Sequence, residues 1–344
     1  MERKGWLVFL GWIALVFLLT DPSLAQVIKL TYTTQNPQTG WGPTHADQAW
    51  LKKIEEVTQG RVKTEPYWSQ TLVKGIDTWN AVKTGVADMG WCVHGYWADM
   101  TPLSDVINLP ALPFKTGEKG SEILWRLYDK FPEFRAQYKD VHMLILHTSP
   151  PYFLITTKKQ VKTLEDIKGL KLRALGGVAT EQLKALGAIP LLIPMPETYL
   201  AMDKGVIDGM AAPWEATHAF RFYEVAKYYT MVPLSGAGVD SVPINKQKWD
   251  SLPKDIQQAI MSISGLQGSK FWGRNFFDTA EEGVMERAKQ GNYQIIRYTP
   301  PPEELQRWVK VCEPIWKDWV KRTEAKGYPA AQQVLNTALE ICKE

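Results

Sequence analysis

Ala81-Val-Lys-Thr-Gly-Val-Ala-Asp88 and Ala201-Met-Asp-Lys-Gly-Val-Ile-Asp208 share the pattern Ala-x-x-x-Gly-Val-x-Asp, the second copy offset from the first by 120 positions. An apolar-periodic segment precedes each copy. The glycine supplies the left-handed residue that stops a helix, and the small and apolar residues after the aspartate read as a buried strand. Met89-Gly90-Trp91 follows the first copy, and Gly209 to Trp214 follows the second. Two copies of helix, stop and strand predict two facing lobes of one architecture, an arrangement suited to closing on something small.

The flanking sequence alternates in the same way. Strands are expected at Ile28–Tyr32, Val62–Tyr67 and Asp88–Val93, with helices from Ala46 to Val57 and from Leu72 to Thr84. The alternation restarts after Pro150-Pro151. Strands are expected at Phe153–Thr157, Leu170–Ala174, Ile189–Ile193, Val239–Asn245 and Tyr293–Tyr298, with helices at Val178–Leu186 and Glu197–Lys204. This is an α/β pattern with parallel or mixed sheets covered on both faces. A helical stretch from Pro253 to about Gln290 would be roughly 55 Å long and would cross both lobes. Gly265, Gly268, Gly273 and Gly283 inside it predict a bend or break.

The 344 residues exceed one ordinary core and predict two domains. Residues 1–25 read as a cleaved export signal: Arg3 and Lys4, an apolar run from Trp6 to Leu19, then Ser23-Leu-Ala25. The mature chain is expected to start at Gln26 in the periplasm. A formal charge of +3 without a basic run argues against a nucleic-acid partner. Of three cysteines, Cys312 and Cys342 are candidates for a pair, against the alternative of three buried thiols.

Catalytic motifs are missing. The five histidines have no His or Cys partner at zinc-ligand spacing, so neither a metal nor another cofactor is expected. There is no P-loop, dinucleotide fingerprint or nucleophile elbow. Cys92 and His94 come nearest to a nucleophile and base, but nothing in the sequence orients the imidazole, so no enzyme is predicted. What remains is binding. Trp41, Trp68, Trp91, Trp97 and Trp214 fall in loops or at strand ends, where an open α/β sheet places its ligand, although ordinary core and rim packing is the better reading of any one of them. Arg173 ends a strand and precedes Ala174-Leu-Gly-Gly177 and a helix start. That setting suits a carboxylate receptor; a surface or ion-paired arginine is the competing reading.

Asp166-Ile-Lys-Gly-Leu-Lys-Leu-Arg173, Leu186-Gly-Ala-Ile-Pro190 and Glu197 through Gly209 resemble the central signature of TRAP transporter solute-binding proteins, the DctP family. Glu56–Gly60, Leu109–Phe114, Phe222–Lys227 and Trp249–Asp255 fit as well, so the resemblance extends over essentially all of Gln26 to Glu344. It implies a two-lobe periplasmic binding protein with an interdomain cleft and a long helix crossing both lobes. Lobe I would comprise residues 26–147 and 236–272, lobe II residues 148–235 and 273–344, with hinges near His147–Ser149 and Leu234–Gly238. The expected protein is a monomeric receptor delivering solute to a two-part, cation-gradient-driven TRAP permease. Arg173 would pair with the ligand carboxylate.

Departures from the family pattern point to the ligand. Phe153 stands near the second arginine of sialic-acid binders, Ala212 replaces their asparagine, and Ala211-Ala212 replaces the Glu-Trp of metal-assisted 2-oxo-acid binders. The expected cargo is therefore a monocarboxylate with an apolar or aromatic body, stacked among Trp41, Trp91, Phe153 and Trp214 beside Ala212. Tyr199 and His94 are candidates to bond its polar end or to be satisfied structural residues. A C4-dicarboxylate-type binder and a ligand-sensing receptor for a signalling partner are alternatives; an ABC-type receptor is the closest other class, set aside only by the motif match, and a periplasmic enzyme would need a nucleophile or metal that the sequence does not offer.

Overall fold

The computed structural model describes residues 27–232 and 238–344. The expected signal sequence and most of the expected Leu234–Gly238 hinge lie outside them. The chain forms two mixed sheets with helices on their faces. In the first, β1 (Ile28–Thr33) pairs in parallel with β2 (Val62–Tyr67) and β3 (Met89–Gly90). Beyond Trp91, β4 (Cys92–Val93) continues the line of β3, and the long β5 (Val141–Thr148) completes the set on the far side of a later, crossing strand. The second sheet holds β6 (Phe153–Thr156), β7 (Lys171–Ala174), β8 (Ile189–Leu192), β9 (Gly209–Ala212), β10 (Tyr228–Thr230) and β12 (Ile296–Tyr298). The strand that crosses back, β11 (Val239–Asn245), lies antiparallel to β3, β4 and β5.

The two sheets have one topology. In the first the order is β2-β1-β3-β11, in the second β8-β7-β9-β6, and the last neighbour in each is antiparallel. The repeated motif builds both centres. Here α2 (Thr78–Thr84) stops at Gly85 with φ 79°, and α6 (Met195–Asp203) stops just before Gly205 with φ 68°. The amides of Val86 and Ala87 bond the Ala81 carbonyl at 2.8 and 3.2 Å, and those of Val206 and Ile207 bond Ala201 at the same two distances. Asp88 Oδ2 accepts from the Thr31 amide at 2.8 Å; Asp208 Oδ2 accepts from the Lys171 amide at 2.9 Å. Each aspartate thus pins its helix turn to the neighbouring parallel strand.

Helices α1 (Gln48–Val57), α3 (Gly117–Lys130), α4 (Pro132–Ala136), α8 (Lys246–Ser251) and α9 (Lys254–Ser262) belong with the first sheet. With the second go α5 (Val178–Ala185) and α7 (Trp214–Ala219). The stretch expected as one helix from Pro253 to Gln290 is broken after α9. Ser264 is extended and Gly265 is left-handed (φ 63°), a conformation no helix continues through. From there α10 (Gly265–Trp272), a π-helical segment (Gly273–Asp278) and α11 (Ala280–Gln290) follow in line. α10 packs on α3 and β5 and α11 on α7, so this continuous part runs from one sheet to the other. The C-terminal helices are α12 (Pro302–Cys312), α13 (Pro314–Ala325) and α14 (Ala331–Lys343). α12 and α13 lie on α5, whereas α14, expected in lobe II, packs on α3 of the first unit. Cys92, Cys312 and Cys342 are all free thiols.

Two strands were not expected, β5 and β10. β5 carries His142 and His147, which interrupt its apolar run in the sequence. Both are absorbed by aromatic neighbours: His142 stacks on Trp249 at 4.0 Å between ring centroids, and His147 sits among Trp272, Phe276 and Phe277.

Candidate functional site

The strand ends and the crossing segments meet at a partly open cavity, whose non-atom space is about 370 Å³ with its solvent-open part included. The first lobe contributes Gln35 and Asn36 just after β1, and Trp91 and Val93 around the β3–β4 break. Arg173 and Leu175 at the end of β7, Met195, and Pro213 with Glu215 after β9 come from the second. Tyr152, Asp240 and Phe277 stand on the three segments that pass between the sheets.

Arg173 is 1% exposed. Its Nε donates to the Ile193 carbonyl at 3.0 Å, which fixes the guanidinium plane, while Nη1 is buried without a partner. Asn36 Nδ2 and Glu215 Oε1 are likewise buried and unpartnered, and both residues line the same cavity. Buried polar atoms are almost always bonded, so three such atoms around one space mark a place prepared for a polar guest. Burial pushes the carboxyls of Glu215 and Asp240 well above the usual range, and the Asp47 carboxyl behind them up to about 7. Asp47 is held by a 2.9 Å bond from the Tyr32 hydroxyl.

Trp91 is a fixed wall. Its Nε1 donates to His147 Nε2 at 3.0 Å, and its ring stacks on Phe276 with centroids 5.2 Å apart. Burial lowers His147 to about 3, so it is neutral and free to accept this bond at Nε2.

The helix start beside Arg173 is not open to a ligand. Asp105 Oδ2 takes the Val178 amide at 3.4 Å, and the Gly176 amide donates to the Gly95 carbonyl at 2.9 Å. These bonds join the two lobes. So does Tyr96, whose hydroxyl donates to Gln35 Oε1 and accepts from the Met195 amide, both at 3.0 Å.

Of the residues expected at the site, Arg173 and Trp91 line the cavity and the others lie outside it. Phe153 and Trp214 pack with tilted rings within the second lobe (centroids 4.4 Å apart), with Tyr229 stacked on Trp214 at 5.1 Å. Ala212 pairs with Phe153 across β6 and β9 and is sealed in that same core. Trp41 stacks on His45 and donates to Thr279 Oγ1, away from the cavity. Tyr199 donates to Glu224 at 3.0 Å. His94 is a core residue with both ring nitrogens used, by Thr101 (3.1 Å) and Ser241 (2.8 Å), and burial lowers it to about 3. Strand alternation explains the difference: a strand-end aromatic faces either the cleft or its own core, and composition does not say which. Gln35, Asn36, Tyr152, Glu215 and Asp240 were missed. The repeat held a signal for the first two, because the residues after β1 occupy the place that Leu175 and Gly176 take after β7.

The sequence profile of the bacterial extracellular solute-binding proteins of family 7, DctP, matches residues 37–323. Among curated relatives, the outer membrane transporter protein TsaT of Comamonas testosteroni is 28% identical over 282 residues, 81% of each chain. A TRAP solute-binding protein from Rhodoferax ferrireducens T118, solved with copurified benzoate, superposes with a TM-score of 0.86 at 26% identity, covering 92% of this chain and 98% of the other. A marine metagenome TRAP solute-binding protein specific for aromatic acids, solved with 3-hydroxybenzoate, has a TM-score of 0.85, 26% identity and the same coverage.

Proposed function

Because this chain belongs to the DctP family of extracellular solute-binding proteins, receptors rather than enzymes, we propose that it captures a small monocarboxylate with an aromatic or apolar body in the periplasm and delivers it to a TRAP permease. The carrying observation is Arg173: a buried guanidinium in the wall of the cavity, clamped through Nε, with Nη1 buried and without a partner. A carboxylate there would accept from Nη1, and Asn36 Nδ2 on the opposite lobe is a second donor for it. One anion bonded from both lobes would favour the closed cleft, since only that form brings the two donors together. Trp91, Phe220 and Phe277 offer the body apolar surface. A dicarboxylate fits poorly, since Arg173 is the one cation among the lining residues and a second anion would be buried without a counter-charge. The benzoate and 3-hydroxybenzoate held by the two similar proteins agree with this cargo.

Native mass spectrometry of the purified protein tests the proposal. A copurified monocarboxylate, displaced in an Arg173→Ala variant that keeps its cooperative melt, is expected. A neutral sugar or a dicarboxylate as cargo would refute it.

A further inference from the structure

The cavity holds more acid than a carboxylate receptor needs. Glu215 and Asp240 are each 3% exposed and both line it. Glu215 Oε1 has no hydrogen-bond partner, and among the described residues neither carboxyl has an ion pair or a side-chain donor. Among the described residues no ion pair joins Arg173 to either acid, and the three stand on different elements: Arg173 in β7, Glu215 in α7 and Asp240 on β11. The cavity therefore presents unpartnered donors, Arg173 Nη1 and Asn36 Nδ2, together with one unpartnered carboxyl oxygen, Glu215 Oε1, and the Asp240 carboxyl.

A buried carboxyl without a donor is costly, and apolar residues of similar size would be cheaper at both positions if the cargo were apolar throughout. The geometry points to a cargo that carries, away from its carboxylate, a hydroxyl or amino group donating to Glu215 and Asp240. The receptor would then select hydrogen-bond donor-bearing acids over their plain counterparts. This rests on the reading of Arg173 as the carboxylate clamp. It also explains why two buried acids stand in a site whose ligand is an anion: held toward their neutral form by burial, they leave the ligand carboxylate unopposed and keep a carbonyl oxygen that accepts from a donor. A site built to bond a ligand O–H or N–H rejects the analogue that lacks it far more strongly than an apolar pocket rejects an extra methyl.

Titration calorimetry on the ligand-free mature protein supplies the test. The probes are benzoate and its 3- and 4-hydroxy, amino, methyl and methoxy derivatives. At one ring position the hydroxy or amino acid should bind at least about 10-fold tighter than both the methyl and the methoxy acid. The methoxy arm separates a donor from an acceptor; the amino arm separates the two donor chemistries. Glu215→Met and Asp240→Leu, which keep bulk and remove the acceptor, should pull that ratio toward about 1. Equal affinity of hydroxy and methoxy acids in the wild-type protein overturns the inference without needing any variant, and so does a ratio unchanged in both variants. If benzoate binds and no substituent matters, only this inference falls. If no acid binds to the folded protein, the carboxylate clamp falls and takes the inference with it.

Discussion

The two copies of the repeated motif build the same corner of each lobe and then diverge within a few residues. Sheet register makes them comparable: Thr33 lies opposite Gly90 in the first lobe as Arg173 lies opposite Met210 in the second. Arg173, the cavity's cation, thus stands where the first lobe has a threonine. Trp91 and Ala211, each three residues past their aspartate, are equivalent in turn. The first lobe supplies the rigid aromatic wall, held by His147, and the second leaves room there and supplies the cation. His94 and Trp214 are a third pair, six residues past each aspartate, and both turn into their own lobe's core. Backbone symmetry builds the clamp, and side-chain asymmetry at equivalent positions gives it a polarity.

Substitutions at paired positions break or sharpen this comparison. The largest contrast should be at the strand ends. Arg173→Ala should weaken acid binding about 1000-fold by calorimetry, whereas Thr33→Ala should leave affinity within about threefold. Next come the tryptophans. Trp214→Ala should cost about 3–5 kcal/mol of stability in denaturant melts, because it empties the Phe153–Tyr229 cluster. Trp91→Ala should also lose about tenfold in affinity in the protein that remains folded, which Trp214→Ala should not.

The aspartates should differ more mildly. Asp88→Ala removes the acceptor for both the amide and the hydroxyl of Thr31, and should cost about 1–3 kcal/mol. Asp208→Ala frees only the Lys171 amide, at an exposed residue, and should cost less than about 1 kcal/mol. The glycines should be alike. A Cβ at Gly85 or Gly205 meets nothing closer than 3.5 Å, so Gly85→Ala and Gly205→Ala should each cost only the left-handed backbone strain, about 1 kcal/mol. Unequal glycine costs would mean that the corners are not equivalent.

The corner was legible in the sequence because its physics is local: an alanine carbonyl that accepts two amides, a left-handed glycine, and an aspartate one strand away. Arg173 was legible as a strand-end cation. The cavity wall was not, because side-chain facing depends on register between strands distant in sequence, as Phe153 against Ala212 shows. β5 was hidden by two histidines whose neighbours come from remote helices. Asp240 was hidden for a related reason: it starts a crossing strand, and nothing nearby in sequence marks it as facing a cavity. Glu215 sits beside Trp214 in sequence, yet the tryptophan turns into the core while the carboxyl lines the cavity.

A crystal structure of the protein with its copurified acid tests the polarity of the clamp most directly. The account places the ligand carboxylate on Arg173 Nη1 at about 2.8 Å, its body against Trp91 and its far end at Glu215 and Asp240. A carboxylate held elsewhere in the cavity, with Arg173 Nη1 still without a partner, would contradict it.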